Sequence, residues 1–388
     1  MNAPVAASVG ASGEPYGTLH GHILTPEGFV HGELRHAQGR IQAISGRPVS
    51  EREARASGEP LILPGFIDLH VHGGGGHDTM DAGDAALHIA RAHARHGTTS
   101  LLATTMTAPA SEIEAAFQAM GPICAARQGG SARVLGVHLE GPYINPGKLG
   151  AQPDFAREAS ISEVRRLHAL APIRLITVAP ELPGHLQLIG QMVAEGFRVQ
   201  VGHTAGCYED GVAALEAGAG GFTHLFNAMT GMHHREPGMV GAALAHAHYA
   251  EIIPDLLHVH PGALKVALRT IPRLYCVTDS TAAAGMPDGE YHLGRHKVFK
   301  CLGGVRLADG TLAGSALTMD QALRNFVSLG LDLTEASART STFAADYLGL
   351  AERGRLVAGA MADLVMLDPA LTLQRVVVEG ESIELQDA

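Results

Sequence analysis

Two histidines, His70 and His72, follow an apolar run that begins at Leu61 and precede the glycines Gly73–Gly76. The apolar run is typical of a strand buried on both faces, and residues i and i+2 of a strand point to the same side. The two imidazoles would therefore project together, and imidazole nitrogens are common ligands of divalent transition metals. The glycines let the chain leave the strand without a Cβ atom near the imidazoles. This stretch predicts half of a metal site.

The spacing of these two histidines is weak evidence by itself. The chain has 23 histidines among 388 residues, and roughly one or two pairs with this spacing are expected by chance. Most such histidines are surface residues or hydrogen-bonded structural ones, so the interpretation depends on what later strands bring to the same place. The sequence has four such pairs: His20/His22, His70/His72, His246/His248 and His258/His260.

The elements that would position these side chains form a regular series. From Pro64 onward, β-prone runs alternate with helical or loop sequence, and eight such units predict an α/β fold of the TIM (β/α)8 barrel type. The eight strands are expected at Leu61–His72, Thr98–Thr105, Arg133–Glu140, Ile173–Val178, Phe197–His203, Gly221–Phe226, Ile252–Val259 and Leu274–Asp279.

Short β-prone runs separated by glycine lie on both sides of this region. We expect residues 1–63 and 355–388 to pair into one small β-sandwich domain, and residues 64–354 to form the catalytic barrel. In the C-terminal part, strands are expected at Arg355–Val357, Ala362–Leu367 and Leu373–Val378.

Six of the predicted strands end in imidazole or carboxylate groups. Side chains at the C-terminal ends of barrel strands converge on one face, where active sites lie. One such residue is usually structural, but packing does not explain six strand ends, and a set of N and O donors suits zinc or iron. The residues are His70, His72, His138, Glu140, His203, His224, His258 and Asp279.

Composition excludes several classes of function. Hydrophobic residues make up 46% and charged residues 17% of the chain, as in compact globular proteins. The formal charge of -11 argues against nucleic-acid or anionic-membrane binding, and no apolar run approaches the length of a membrane span. Residues 1–13 lack the features of a signal peptide, and the four cysteines show no CxxC spacing. These features predict a cytoplasmic protein with reduced thiols.

The segment Pro64–Gly73 (PGFIDLHVHG) resembles the first-strand motif of the amidohydrolase superfamily. Four further motifs resemble those of the N-acetylglucosamine-6-phosphate deacetylase family within it: His138–Pro142 (HLEGP), Val201–Thr204 (VGHT), His224–Met229 (HLFNAM) and Val277–Ser280 (VTDS). The resemblance covers essentially the whole chain. It implies a metal-dependent hydrolase of amino-sugar catabolism and cell-wall recycling that releases acetate from N-acetylglucosamine 6-phosphate.

The resemblance also implies roles for individual residues. Asp279 matches the general acid/base, and one or two divalent ions, zinc or iron, are expected per chain. The metal ligands implied are Glu140, His203 and His224 for one ion, with His70 and His72 for a second. The substrate contacts implied are Gln152, Asn227, Ala228, Arg235 and His258. Gln152 stands where the family often has a histidine that polarises the amide carbonyl. The family supplies the equivalent of Arg235 across a dimer interface, so a homodimer is expected.

Three alternatives remain open on the residues. The substrate could be the galacto epimer, since one hydroxyl decides between the two. A cyclic-amide hydrolase such as a dihydroorotase is a second alternative, but those enzymes use a carboxylated lysine from the fourth strand, and Val178–Glu181 (VAPE) contains none. The third, a non-catalytic scaffold, would usually have lost ligands, and this chain keeps them together with Asp279.

Overall fold

The computed structural model describes residues 8–9 and 15–385. Its centre is a barrel of eight parallel strands, as predicted. In chain order these first to eighth barrel strands are Phe66–Val71, Thr98–Thr105, Arg133–Glu140, Ile173–Val178, Val199–Val201, Gly221–Phe222, Tyr249–Ile252 and Arg273–Cys276.

Hydrogen bonds beyond the ladders close this barrel. The first six strands form one parallel sheet and the last two a parallel pair. The amide of Leu225 donates to the carbonyl of Glu251 at 2.9 Å, and the amide of Asp279 donates to the carbonyl of His70 at 3.0 Å. The second bond joins the end of the eighth strand to the first, so the C-terminal ends of all the strands surround one opening.

Helices follow the barrel strands, and the largest hydrophobic cluster fills the space between the two layers. No helix within residues 8–9 and 15–385 is long and apolar enough to span a membrane. The α-helices are Glu51–Ala56, Ala85–Ala94, Ala110–Ala125, Ile161–Leu170, His185–Ala194, Tyr208–Glu216, Gly238–His246, Pro261–Thr270, Met319–Ser328, Leu333–Ser337 and Phe343–Leu348, with a π-helical turn at Ala338–Thr342 and 3₁₀ turns at Thr79–Asp81 and Pro146–Lys148.

Both ends of the chain combine in a second sheet, the terminal sheet, as expected. Its strands form one hydrogen-bonded mixed sheet. The division of the chain at residues 63/64 and 354/355 remains a prediction. The strands of the terminal sheet are Ser8–Val9, Pro15–Thr25, Gly28–Ala37, Arg40–Val49, Leu61–Pro64, Leu364–Leu367, Leu373–Val378 and Glu381–Ile383.

The apolar run that begins at Leu61 forms two strands rather than the one predicted. Leu61–Pro64 belongs to the terminal sheet and Phe66–Val71 to the barrel. Between them, a Cβ atom on Gly65 would lie 2.2 Å from the Thr99 side chain, so only glycine fits there. The chain therefore passes from one sheet to the other at a single residue.

Several predicted strand positions were wrong. The seventh strand ends at Ile252, so His258 lies in the loop beyond it, and Arg355–Val357 is not a strand. The sequence interpretation also missed a four-stranded antiparallel insert after the eighth barrel strand, because eight β/α units already completed the barrel. The strands of this insert are Gly289–Leu293, His296–Cys301, Gly304–Arg306 and Leu312–Ser315.

A half-buried ion cluster joins the terminal sheet to the barrel. Glu379 accepts from Arg133 at 2.8 Å, from Arg353 at 2.5 Å and from Arg127 at 3.3 Å. Arg353 also pairs with the buried Asp363. Burial opposes the ionisation of Glu379, but hydrogen bonds from Arg133 and Arg353 outweigh it and lower its pKa to about 2. The charged carboxylate is thus the form that stabilises this contact.

Replacing Glu379 with Gln should lower the free energy of unfolding by about 3 kcal/mol at pH 7, because the guanidinium groups lose their charged partner. The folded-state pKa lies below the usual value of 4.5, so this stabilisation is complete above that pH and is lost as the pH falls toward 2. Urea unfolding at several pH values checks both points.

In that experiment the difference between wild type and Glu379→Gln should shrink in acid, and a constant difference would contradict the assignment. Glu290→Gln, which removes the exposed ion pair with Lys297, is the matched control. It should change stability by less than about 1 kcal/mol.

Candidate active site

The C-terminal ends of the barrel strands surround a cavity of about 260 Å³. Its walls combine predicted metal ligands, predicted substrate contacts and residues of the antiparallel insert. The lining residues include His72, Met106, Glu140, Gly150, Ala151, Gln152, His203, His224, Asn227, Ala228, His258, Asp279, Leu293, Thr311, Leu312 and Gly314.

The first ligand group is built around one oxygen of Glu140. Oε1 of Glu140 lies 3.2 Å from Nε2 of His203 and 3.0 Å from Nε2 of His224. All three side chains are buried, and their ligand atoms lie within 4.8 Å of one another. Nδ1 of His203 is tied to the carbonyl of Lys148 at 2.8 Å, which fixes the ring and directs Nε2 inward.

The second ligand group contains His70, His72 and Asp279. Oδ1 of Asp279 lies 3.3 Å from Nε2 of both histidines. The other oxygen of Glu140, Oε2, lies 3.0 Å from Nε2 of His72 and 3.4 Å from Nε2 of His70. One carboxylate therefore faces both groups, one with each oxygen.

Three of these residues adopt a left-handed backbone conformation. The φ angles are 48° at His203, 28° at His224 and 50° at Asp279, a region that non-glycine residues rarely occupy. Each comes two or three residues after the end of its barrel strand, where the turn aims the side chain across the opening. Such strain persists only where surrounding bonds fix the backbone: Asp279 donates to the carbonyl of His70 and accepts from the amide of Ser315 at 2.7 Å.

The donor atoms fit a metal ion. Nε2 of His203 and Nε2 of His224 are 3.1 Å apart, and those of His70 and His72 are 3.2 Å apart. Two nitrogens held at ~2.0–2.1 Å from a tetrahedral zinc ion lie about 3.3 Å from each other. The N and O donor set also suits zinc or iron. The residues present could therefore hold one divalent ion in each group.

Carboxylates and imidazoles in the site shift the pKa values of one another. Burial opposes ionisation of Glu140 and Asp279, but the field of His70 and hydrogen bonds from the other imidazoles hold the pKa of both below the usual range. Burial, followed by repulsion from His70, lowers the pKa of His138 well below its usual value. Against the effect of burial, the same two carboxylates raise the pKa of His70 well above its usual value and that of His72 to about 9. A metal ion would take the place of the protons on these imidazoles.

The sequence interpretation missed Glu251, a fully buried carboxylate on the seventh strand. Its Oε2 lies 3.0 Å from Nδ1 of His70 and accepts from the amide of His224 at 3.2 Å, and its Oε1 accepts from the hydroxyl of Tyr275 at 3.4 Å. A carboxylate behind a metal-binding imidazole fixes its tautomer and orientation. The only signal in the sequence was a glutamate inside an otherwise apolar strand.

Glu251 begins a chain of buried polar side chains across the barrel below the cavity. His138, predicted among the strand-end ligands, belongs to this chain, with its Nε2 2.8 Å from the hydroxyl of Thr177. The hydrogen bonds run from Glu251 through Tyr275, Gln200, Thr223 and Thr177 to His138.

The predicted substrate contacts divide into two sets. Gln152, Asn227, Ala228 and His258 line the cavity, whereas Arg235 is exposed and does not line it in the single chain. The side chain of Gln152 donates to Oε2 of Glu140 at 2.7 Å. Nδ1 of His258 lies 2.6 Å from Oδ2 of Asp255.

We predict that Glu251→Gln weakens metal binding at the His70 group by roughly tenfold or more. Glutamate accepts three donors here, and an amide has only one oxygen to replace them, so a buried donor is left without a partner. Metal content after dialysis against a chelator measures the effect. Glu236→Gln, at an exposed position, is the control, and equal metal retention in both variants would contradict the prediction.

Comparison with known proteins agrees with this geometry. The chain matches the amidohydrolase family over residues 61–383. It is 43% identical to the N-acetylgalactosamine-6-phosphate deacetylase of Escherichia coli O157:H7, covering 92% of this chain and 97% of that protein. It is 39% identical to the N-acetylglucosamine-6-phosphate deacetylase of Lysinibacillus sphaericus, covering 82% and 84%.

Solved structures of N-acetylglucosamine-6-phosphate deacetylases are also similar to this chain. A Mycobacterium smegmatis N-acetylglucosamine-6-phosphate deacetylase mutant, in complex with N-acetyl-D-glucosamine-6-phosphate, superposes with a TM-score of 0.87 at 32% identity, covering 95% of this chain and 99% of that one. The corresponding Thermotoga maritima enzyme gives a TM-score of 0.85 at 31% identity, covering 95% and 100%. The chain belongs to the amidohydrolase family and, within it, to the N-acetylglucosamine-6-phosphate deacetylase family.

Proposed function

We propose that this chain is a metal-dependent deacetylase that hydrolyses the acetamide of N-acetylglucosamine 6-phosphate to glucosamine 6-phosphate and acetate. The observation that carries the proposal is the position of Glu140, which faces two ligand groups, one of them containing Asp279. Both groups lie at the opening of a barrel that matches the amidohydrolase family. A cyclic-amide hydrolase is disfavoured because the cavity lining, all within the described residues, includes no lysine. A scaffold without activity is disfavoured by the complete donor set.

The metal would be held by Glu140, His203 and His224, with a second ion at His70, His72 and Asp279. A divalent ion supplies Lewis-acid chemistry, polarising the amide carbonyl and activating water for attack. Neighbouring residues hold the ligand side chains in place. The carbonyl of Lys148 fixes His203, and Glu251 fixes His70.

Asp279 moves the proton in this scheme. Its side chain lines the cavity, and unlike Glu140 it carries no hydrogen bond from Gln152. Its carboxylate accepts a proton from the attacking water and then donates it to the amine nitrogen as the carbon–nitrogen bond breaks. The products are acetate and the free amino sugar. Gln152, Asn227, Ala228 and His258 would orient the sugar and its acetamide.

Arg235 is the proposed phosphate contact. The chain is acidic overall, so a phosphorylated substrate needs a local cation, and a guanidinium offers a planar two-point contact to phosphate. Arg235 is exposed and lies outside the cavity of its own chain. This placement supports a homodimer in which Arg235 reaches the neighbouring active site. The charged sugar phosphate and four free cysteines support a cytoplasmic location.

The galacto epimer is a second candidate substrate. The relative that is 43% identical acts, by its name, on N-acetylgalactosamine 6-phosphate. An acetate-release assay on both epimers, each with and without the 6-phosphate, tests the function. The phosphorylated gluco epimer should be the best substrate, and no acetate release from any of the four would refute the proposal.

Asp279→Asn should lower kcat by about 10²–10⁴-fold, the usual worth of a positioned acid/base, because the amide cannot accept the proton. The fold and the ion at the Glu140 group should remain, since Asn has nearly the same shape. Steady-state kinetics and metal content, measured on the same preparation, test this role of Asp279. A variant that keeps its metal and loses less than about tenfold in kcat would exclude this role.

Arg235→Ala should raise KM for the phosphorylated sugar by roughly 30-fold, equivalent to about 2 kcal/mol of lost charge-assisted bonding. The unphosphorylated sugar should be little affected. Arg52→Ala, at another exposed position, is the control. Equal losses on both sugars would make Arg235 structural.

Mixed dimers test whether Arg235 acts across an interface. A dimer of Arg235→Ala with His224→Asn has one intact site only if the arginine comes from the partner. Activity above that of either parent is expected, and none would argue for action within one chain.

A further inference from the structure

A further histidine–carboxylate group lies at the terminal sheet, outside the barrel. It includes His22 from one of the i, i+2 pairs that the catalytic interpretation left unused. His22 and His31 are directly opposite each other on neighbouring strands, and their rings stack with centroids 4.7 Å apart. Nε2 of His31 lies 2.7 Å from Oε2 of Glu59.

The bonds around Ser57 favour one tautomer of His22. The Ser57 hydroxyl donates its one proton to the carbonyl of Ala54 at 2.9 Å and accepts from the amide of Glu59 at 3.0 Å. With the hydroxyl proton directed to Ala54, Nε2 of His22, 2.8 Å from the same oxygen, is the donor. The lone pair therefore sits on Nδ1, which is buried and has no partner within the described part of the chain.

A buried nitrogen with an unused lone pair is the independent sign of a ligand. His22 is only 2% exposed, and leaving such an acceptor unsatisfied costs stability unless something binds it.

We propose that His22, His31 and Glu59 form a separate binding site, outside the active site, for a divalent transition metal such as zinc. Each residue offers one ligand atom, and the three atoms lie within 4.8 Å of one another. Two imidazoles and one carboxylate form a standard three-ligand zinc set, with water in the fourth position. His31 and Glu59 are 36% and 51% exposed, so their side chains can close on the ion.

A bound ion at this site would affect the stability of the terminal sheet. It would tie Pro15–Thr25 and Gly28–Ala37 to the segment that enters Leu61–Pro64. Without an ion the group offers one exposed His31–Glu59 pair, which contributes little stability. A bound ion would therefore stabilise the part of the terminal sheet from which the chain enters the barrel.

Zinc titration of the full-length protein tests the site. Wild type, His31→Ala and Glu59→Gln are compared in competition with a chromogenic chelator, with His248→Ala, another exposed histidine, as control. His31 and Glu59 are partly exposed, so these variants should fold normally. Wild type and control should bind one equivalent more than His31→Ala, and Glu59→Gln should bind that equivalent roughly tenfold or more weakly.

Thermal unfolding gives a second readout, with zinc at a concentration that already fills the catalytic ligands. The additional ion should raise Tm by roughly a few degrees in wild type and control but not in His31→Ala. The same number of zinc equivalents in wild type and His31→Ala would overturn the proposal. Neither readout uses acetate release, so the result is independent of the catalytic function.

Discussion

The sharing of one carboxylate, Glu140, between two groups of imidazoles is the constraint on which the rest of the site depends. Oε1 faces His203 and His224 while Oε2 faces His72 and accepts from Gln152. A buried carboxylate is costly unless it is paired and hydrogen-bonded. Side chains from the ends of three other barrel strands, the first, fifth and sixth, and from one loop converge to satisfy it.

The backbone is strained where it brings these side chains together. His203, His224 and Asp279 take left-handed conformations as the chain leaves its strands, and Gly202 lets the fifth strand pass close to Thr177 and Thr223. The strained turns are fixed by backbone bonds and by Glu251 beneath them. The ligands are supported by contacts within the barrel, whereas the insert and loops supply the remaining walls.

The polar layer below the cavity departs from the usual apolar barrel interior. Branched apolar residues normally fill TIM barrels, yet here Glu251, Tyr275, Gln200 and His138 lie in a hydrogen-bonded chain under the ligands. A fully satisfied buried network restricts the orientation of its members. It positions His70 from below, as the carbonyl of Lys148 positions His203 from the side.

The sequence by itself determined the barrel, the joining of the two termini and most of the residues that meet at the cavity. Strand alternation has a period of two, and strand ends in a barrel must converge, so His70, His72, Glu140 and Asp279 could be placed together without coordinates. Only the tertiary structure decided what these residues touch. The contact of Glu251 with His70, the insert over the cavity and the position of His258 beyond its strand all depend on pairings between distant segments. Such contacts leave no local pattern, because they are set by packing rather than by propensity along the chain.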